Sequence, residues 1–262
     1  MRRFTHVVLT CIIFFWISGS TQGAPLTDQD FNDLSLSDAS FIGETGGDIS
    51  GWSVTNAGDV NGDSIDDFLI GAPQHGSLRT KAGRAYLYFG QATPRASRST
   101  DNSDADVIFI GEQQGDQAGL TVSAAGDVNA DGFADILIGA PIYGGSGWTG
   151  KAYLVLGRPT NSWGHTFSLS NANASFRAEN LHDYAGRSVS GIGDIDGDGY
   201  DDFAVGAPFF GRKDMAGNFT YKGKVYVFFG KVSPSWGKNF NLANADASFI
   251  GEFPFDYAGW SV

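Results

Sequence analysis

Three stretches of this 262-residue chain have one grammar: Asp59-Val-Asn61-Gly-Asp63-Ser-Ile65-Asp-Asp67, Asp127-Val-Asn129-Ala-Asp131-Gly-Phe133-Ala-Asp135 and Asp194-Ile-Asp196-Gly-Asp198-Gly-Tyr200-Asp-Asp202. Oxygen-bearing side chains at positions 1, 3, 5 and 9, with a main-chain carbonyl at position 7, can surround a hard cation such as calcium. Carboxylates packed into so short a loop repel one another unless a cation sits among them. The third loop has four such side-chain carboxylates against three in the others, so it is expected to bind most tightly. The competing reading is a plain Asp/Asn/Gly turn, which these residues form without metal. An EF-hand is excluded, because its acidic twelfth position is Ile70, Ile138 or Val205 here. In the first loop Ser64 stands where the others have Gly132 and Gly199, which predicts a slightly strained turn.

Something must position these loops, and the chain repeats around them. Ile42-Gly-Glu44 recurs as Ile110-Gly-Glu112, Arg177-Ala-Glu179 and Ile250-Gly-Glu252, with glutamate offsets of 68, 67 and 73. Gly51-Trp-Ser-Val recurs at Gly119, Gly186 and Gly259, Gly71-Ala-Pro73 at Gly139 and Gly206, and Tyr86-Leu-Tyr-Phe-Gly90 ahead of Gly157 and Gly230. Each unit reads as four short strands, near Phe41-Ile42, Trp52 to Ala57, Phe68 to Ile70 and Arg84 to Phe89. The second alternates as a half-buried strand does, and the third is apolar throughout, as a strand covered on both faces is. Four-stranded units of this length predict the blades of an all-β propeller, with repeats at about 40–105, 106–173 and 174–246 and an incomplete one at 247–262. A β-sandwich would not impose four matched motifs per period. Segments beginning at Phe31, Phe167 and Phe240 echo one another and read as crossovers between blades. Three blades and a start do not close a ring, so the expectation is an N-terminal part of a longer, seven-bladed-type propeller.

Residues 1–23 read as a signal peptide: Arg2 and Arg3, an apolar run from Val7 to Ile17, then small residues. Its removal would expose a secreted or cell-surface chain with no membrane span. The one cysteine, Cys11, falls within it, so stability after export rests on the core and on bound metal. The formal charge of −12 becomes −14 when those two arginines are lost. Such an excess argues against nucleic acid and anionic membranes as partners.

The unit resembles the FG-GAP repeat of integrin α-subunit propellers, and more closely the integrin-like FG-GAP proteins of bacteria. The likeness rests on Gly-Asp-(Val/Ile)-(Asn/Asp)-x-Asp, on Gly-Ala-Pro and on the closing aromatic-Gly, and runs from about Phe41 to Val262. One departure is that the Phe-Gly of the family is Ser50-Gly51, Ala118-Gly119, Ala185-Gly186 and Ala258-Gly259. The resemblance implies one calcium ion per complete repeat. The ligands it implies are Asp59, Asn61, Asp63, Asp67 and the Ile65 carbonyl; Asp127, Asn129, Asp131, Asp135 and the Phe133 carbonyl; and Asp194, Asp196, Asp198, Asp202 and the Tyr200 carbonyl. It also implies adhesion, or binding of an extracellular protein or glycan. FG-GAP repeats accompany a catalytic domain in glycosylphosphatidylinositol-specific phospholipase D as well, so a propeller region of a larger secreted hydrolase is the alternative, and a lectin-like propeller a third.

No catalytic set is legible. His75, His165 and His182 lack zinc spacing and read as surface loop residues, and there is no Gly-x-Ser-x-Gly elbow. Trp52 and Trp260 share one repeat position and read as packing residues. Trp148, Trp163 and Trp236 fall near loops and are the candidates for a ligand surface. Asn173-Ala-Ser175 and Asn218-Phe-Thr220 have the form of glycan acceptors.

Overall fold

The computed structural model describes residues 39–76, 81–93, 99–211, 217, 220–232 and 236–262. The leader with Cys11, most of the echo segment from Phe31, and Asn218 lie outside them.

Glycine-punctuated apolar runs give short strands throughout. β1 (Ser40–Ile42) precedes β2 (Ser53–Gly58), β3 (Asp67–Ala72) and β4 (Arg84–Tyr88), and then come β5 (Ser99–Asp101) and β6 (Val107–Ile110). The pattern returns as β7 (Thr121–Gly126), β8 (Asp135–Ala140), β9 (Lys151–Val155), β10 (Thr166–Ser168) and β11 (Ala174–Arg177). It returns again as β12 (Ser188–Gly193), β13 (Asp202–Ala207), β14 (Lys224–Phe228), β15 (Phe240–Asn241) and β16 (Ala247–Ile250). The chain is all-β. Its three propeller-type blades are the antiparallel sheets β2-β3-β4-β6, β7-β8-β9-β11 and β12-β13-β14-β16.

The blade and the sequence repeat are out of step by one strand. The strand that opens each unit in sequence closes the sheet of the unit before it: Val107 faces Leu87, Ala174 faces Leu154 and Ala247 faces Val227. Hairpin turns fix only β2-β3-β4 and its equivalents locally. The free edge of β4 still has unpaired N–H and C=O groups, and the returning chain satisfies them. β1, the first such strand, instead pairs in parallel with β5. The crossover segments add strands of their own, β10 parallel to β6 and β15 parallel to β11. After β5, β10 and β15 comes a single 3-10 turn, capped by the side chain of Asp101, Ser168 or Asn241.

The core lies between blades. β3, β8 and β13 are buried at every position, as their unbroken apolar character predicts. Leu69, Leu87 and Phe109 of one sheet pack on Ile136, Tyr153 and Val155 of the next. Leu154 and Phe176 pack likewise on Phe203, Val205 and Phe228. On the other side of the first blade Phe41 packs on Phe68 and Tyr88. Phe109, Phe176 and Phe249 hold one repeat position. The first two are fully buried, and Phe249 is 64% exposed.

The repeated glycine motifs form the seam at one end of the strands. Ser53, Thr121 and Ser188 each donate a hydroxyl to the carbonyl of the following unit's motif glycine, Gly119, Gly186 or Gly259. A Cβ on Gly71 would come 2.0 Å from the Gly119 carbonyl oxygen, so the Gly-Ala-Pro glycine is required by close approach of the next blade.

Candidate metal centres

The acidic loops connect the two innermost strands of each blade, β2 to β3, β7 to β8 and β12 to β13, at the end opposite that seam. Each begins at a register shift, between Asn56 and Gly58 in the first blade, which turns the chain out of the ladder. Within each loop the first aspartate gathers main-chain N–H groups. Asp59 accepts from Gly62, Asp63 and Ser64, and Asp194 from Gly197, Asp198 and Gly199, at 2.6–3.1 Å. Asp127 accepts from Asp131 and Gly132. Asn61, Asn129 and Asp196 accept from the residue two further on, and so do Asp63, Asp131 and Asp198.

The ninth position is fully buried in all three loops. Asp67 is held by the N–H groups of Val60 and Gly90, Asp135 by those of Val128 and Gly157, and Asp202 by those of Ile195 and Gly230, all at 2.8–2.9 Å. This carboxylate therefore ties the loop to the end of the third strand of its blade. Burial pushes the carboxyls of Asp67 and Asp135 up to about 7, against those N–H bonds, and the charges of the other loop aspartates add to the rise.

The loops differ in how far they bring carboxylates together. Among the described residues one group of three acidic ligand atoms lies within 4.8 Å of one another, that of Asp194, Asp196 and Asp202. Asp198 is outside this triple, with Oδ1 on the Tyr200 N–H. In the first two loops the third position is an amide, Asn61 or Asn129, whose Nδ2 donates to Asp63 or Asp131. Backbone strain ranks the loops in the same order. Ser64 has φ 69, as its residue type predicted, and Ala130 has φ 53 where the other loops have Gly62 and Gly197. The third loop meets both positive-φ positions with glycine, Gly197 and Gly199. The sequence signal for Ala130 is its alignment with Gly62 and Gly197 at the fourth loop position.

The donor set fits a hard divalent cation. It is all oxygen, it is anionic, and it has a buried carboxylate already fixed by the backbone.

The FG-GAP repeat model matches residues 50–88, 118–155 and 185–228, each match running from the motif glycine through the acidic loop to the third blade strand. This chain is an FG-GAP repeat protein. It is integrin-α-like: 31% identical over 176 residues to integrin alpha-5 of Xenopus laevis, which covers 64% of this chain and 15% of that protein. It is 29% identical over 252 residues to integrin alpha-8 of Mus musculus, covering 92% of this chain and 22% of the relative. Phosphatidylinositol-glycan-specific phospholipase D of Bos taurus is 29% identical over 217 residues, 81% of this chain and 24% of its own length. The FG-GAP chain thus spans about a quarter or less of these relatives. Among the described residues no helix is long and apolar enough to cross a membrane.

The tryptophans of the FG-GAP blades depart from expectation. Trp52 and Trp260, read as packing residues, are each 50% exposed and line one cavity with Leu120 and Arg187. Trp163 and Trp236, read as loop platforms, are packed instead. Trp163 donates Nε1–H to the Arg158 carbonyl and lies edge-on to Phe109, and Trp236 is buried against Phe203 and Phe176. Trp148 is exposed, beside His182 and Tyr184. His75 is not a free surface residue: its Nδ1 is 3.1 Å from Asp48 Oδ2, and both side chains are largely buried. Asn173 is exposed, with Oδ1 accepting from Leu156 N–H and Arg158.

Proposed function

We propose that this chain is an exported, calcium-stabilised FG-GAP propeller that presents the face opposite its metal loops to an extracellular ligand. The observation that carries the calcium reading is the convergence of Asp194, Asp196 and Asp202, with Asp202 anchored from both sides by backbone N–H groups. Asp194, Asp196, Asp198, Asp202 and the Tyr200 carbonyl hold one ion. Asp59, Asn61, Asp63, Asp67 with the Ile65 carbonyl, and Asp127, Asn129, Asp131, Asp135 with the Phe133 carbonyl, hold the other two. The ion's part is structural: it neutralises each loop and fixes the hairpin between the two inner strands. The blades themselves carry no catalytic role in this reading.

Isothermal titration of the secreted protein with calcium tests it. Three sites are expected, the tightest weakened in Asp196→Asn to the level of the other two, whose third position is already Asn61 or Asn129, and EDTA is expected to lower the unfolding temperature. Unchanged unfolding in EDTA overturns the structural role. The sequence of the secreted N-terminus tests cleavage at the end of 1–23.

The similarity to the bovine phospholipase D over 81% of this chain favours a second reading, a propeller region belonging to a larger secreted hydrolase. Phospholipase assays on the full-length gene product distinguish the two.

A further inference from the structure

The seam motif reads Gly-x-Ser/Thr-Val in four copies, and one position in it varies in chemical class. After the glycines Gly51, Gly119, Gly186 and Gly259 stand Trp52, Leu120, Arg187 and Trp260. The glycine carbonyl and the hydroxyl are used up in joining blades, so the variable side chain is the one left over. All four variable side chains line a single cavity of about 340 Å³, at the lower end of the roughly 300–1,000 Å³ of ordinary ligand sites. Two half-exposed indoles and a guanidinium thus meet at one place, contributed by three different units.

The cation there is unusual. Arg84, Lys151 and Lys224 near the same end of the blades each hold a glutamate, Glu44, Glu112 and Glu179. Arg187 has no carboxylate partner among the described residues, and its guanidinium lies over the Trp260 ring at 4.7 Å. Among the described residues no hydrogen bond occupies its fork of N–H donors. Gln74 and Gln117 add amides to the wall.

We propose that this cavity binds an acidic sugar ring, a uronate unit of a glycan. The inference rests on the ligand-binding reading above and names the ligand class. The indoles of Trp52 and Trp260 take the C–H faces of the pyranose, the Arg187 fork takes the carboxylate in two parallel hydrogen bonds, and the amides meet hydroxyls. The chain's net negative charge does not forbid this. The acidic loops lie at the other end of six-residue strands, about 20 Å away, which exceeds the screening length of roughly 8 Å at physiological salt.

The test is tryptophan fluorescence and calorimetry on the calcium-loaded full chain with a glucuronate-containing tetrasaccharide, its neutral methyl ester, and tetraglutamate. Saturable binding of the acid is expected, with the ester weaker by about tenfold or more, the worth of a charge-assisted bidentate pair. Arg187→Gln should weaken binding of the acid by about tenfold or more, removing most of the preference for acid over ester. Trp52→Phe and Trp260→Phe keep an aromatic face, so each should still bind the acid, whereas Trp260→Ala should lose it. Equal affinity for acid and ester, tetraglutamate binding as tightly as the sugar, or an unaltered Arg187→Gln protein overturns the proposal. Calcium titration of the same samples separates outcomes: intact calcium binding with no uronate binding sinks this inference alone, whereas absent calcium binding sinks the reading beneath it.

Discussion

Asp127 and Asp201 bind each other across two blades. The N–H of Asp201 donates to the Asp127 carbonyl at 3.2 Å, and the N–H of Asp127 donates to Asp201 Oδ2 at 2.8 Å. One is the first position of the second acidic loop, the other the eighth of the third. The preceding pair of loops is joined by Ala134 N–H on the Asp59 carbonyl. Arg158 and Lys231 N–H reach back to Val60 and Val128. The loops are therefore joints between blades as well as clamps within them. Asp201→Ala should cost about 1–2 kcal/mol, since it removes a charged acceptor from a partly buried N–H. Urea unfolding in saturating calcium measures this.

The two strained loop positions make a second prediction. Ser64→Gly and Ala130→Gly each relieve a left-handed residue, at the cost of extra freedom in the unfolded chain. Each should raise stability by about 0.5 kcal/mol and tighten its own calcium site, because the loop no longer has to be forced into shape. Gly62→Ala should do the reverse: its φ is 80, and a Cβ there would come 2.5 Å from the Phe133 ring. Differential scanning calorimetry of the three variants decides the signs.

Packing between blades gives a third. Phe176 is fully buried against Phe203, Phe228 and Trp236. Phe176→Ala should lower stability by about 3–5 kcal/mol. The same change at the equivalent but exposed Phe249 should cost less than a third of that. Denaturant midpoints compare them.

Stability should also depend on pH through Asp116. In the first unit His75 meets Asp48, but Tyr143 stands at the matching place in the second, and Asp116 Oδ1 has no hydrogen-bond partner. Burial pushes its carboxyl up to about 7 from an ordinary value of 3.8. The unfolded chain releases this proton near pH 4 and the folded chain keeps it until about 7. The contribution is therefore complete below pH 4 and is lost as pH rises to 7, with a slope of at most about 1.4 kcal/mol per pH unit. Asp116→Asn should flatten that window. The comparison belongs in saturating calcium, which keeps the loop carboxylates ionised.

The sequence by itself determined the repeat, the all-β character and the candidate ligands, because those are local. A nine-residue loop holds its own oxygens, strand alternation is read from neighbours, and a glycine at positive φ announces itself by having no side chain. The strain at Ser64 was legible for that reason. The tertiary structure alone decided which strand closes which blade, since the pairing of Val107 with Leu87 is a choice between distant edges that no local pattern encodes. It alone decided that Trp52 and Trp260 face a cavity while Trp236 is buried. An indole has the same apolar character on a packed seam or an open one, and only the placement of whole blades settles what covers it.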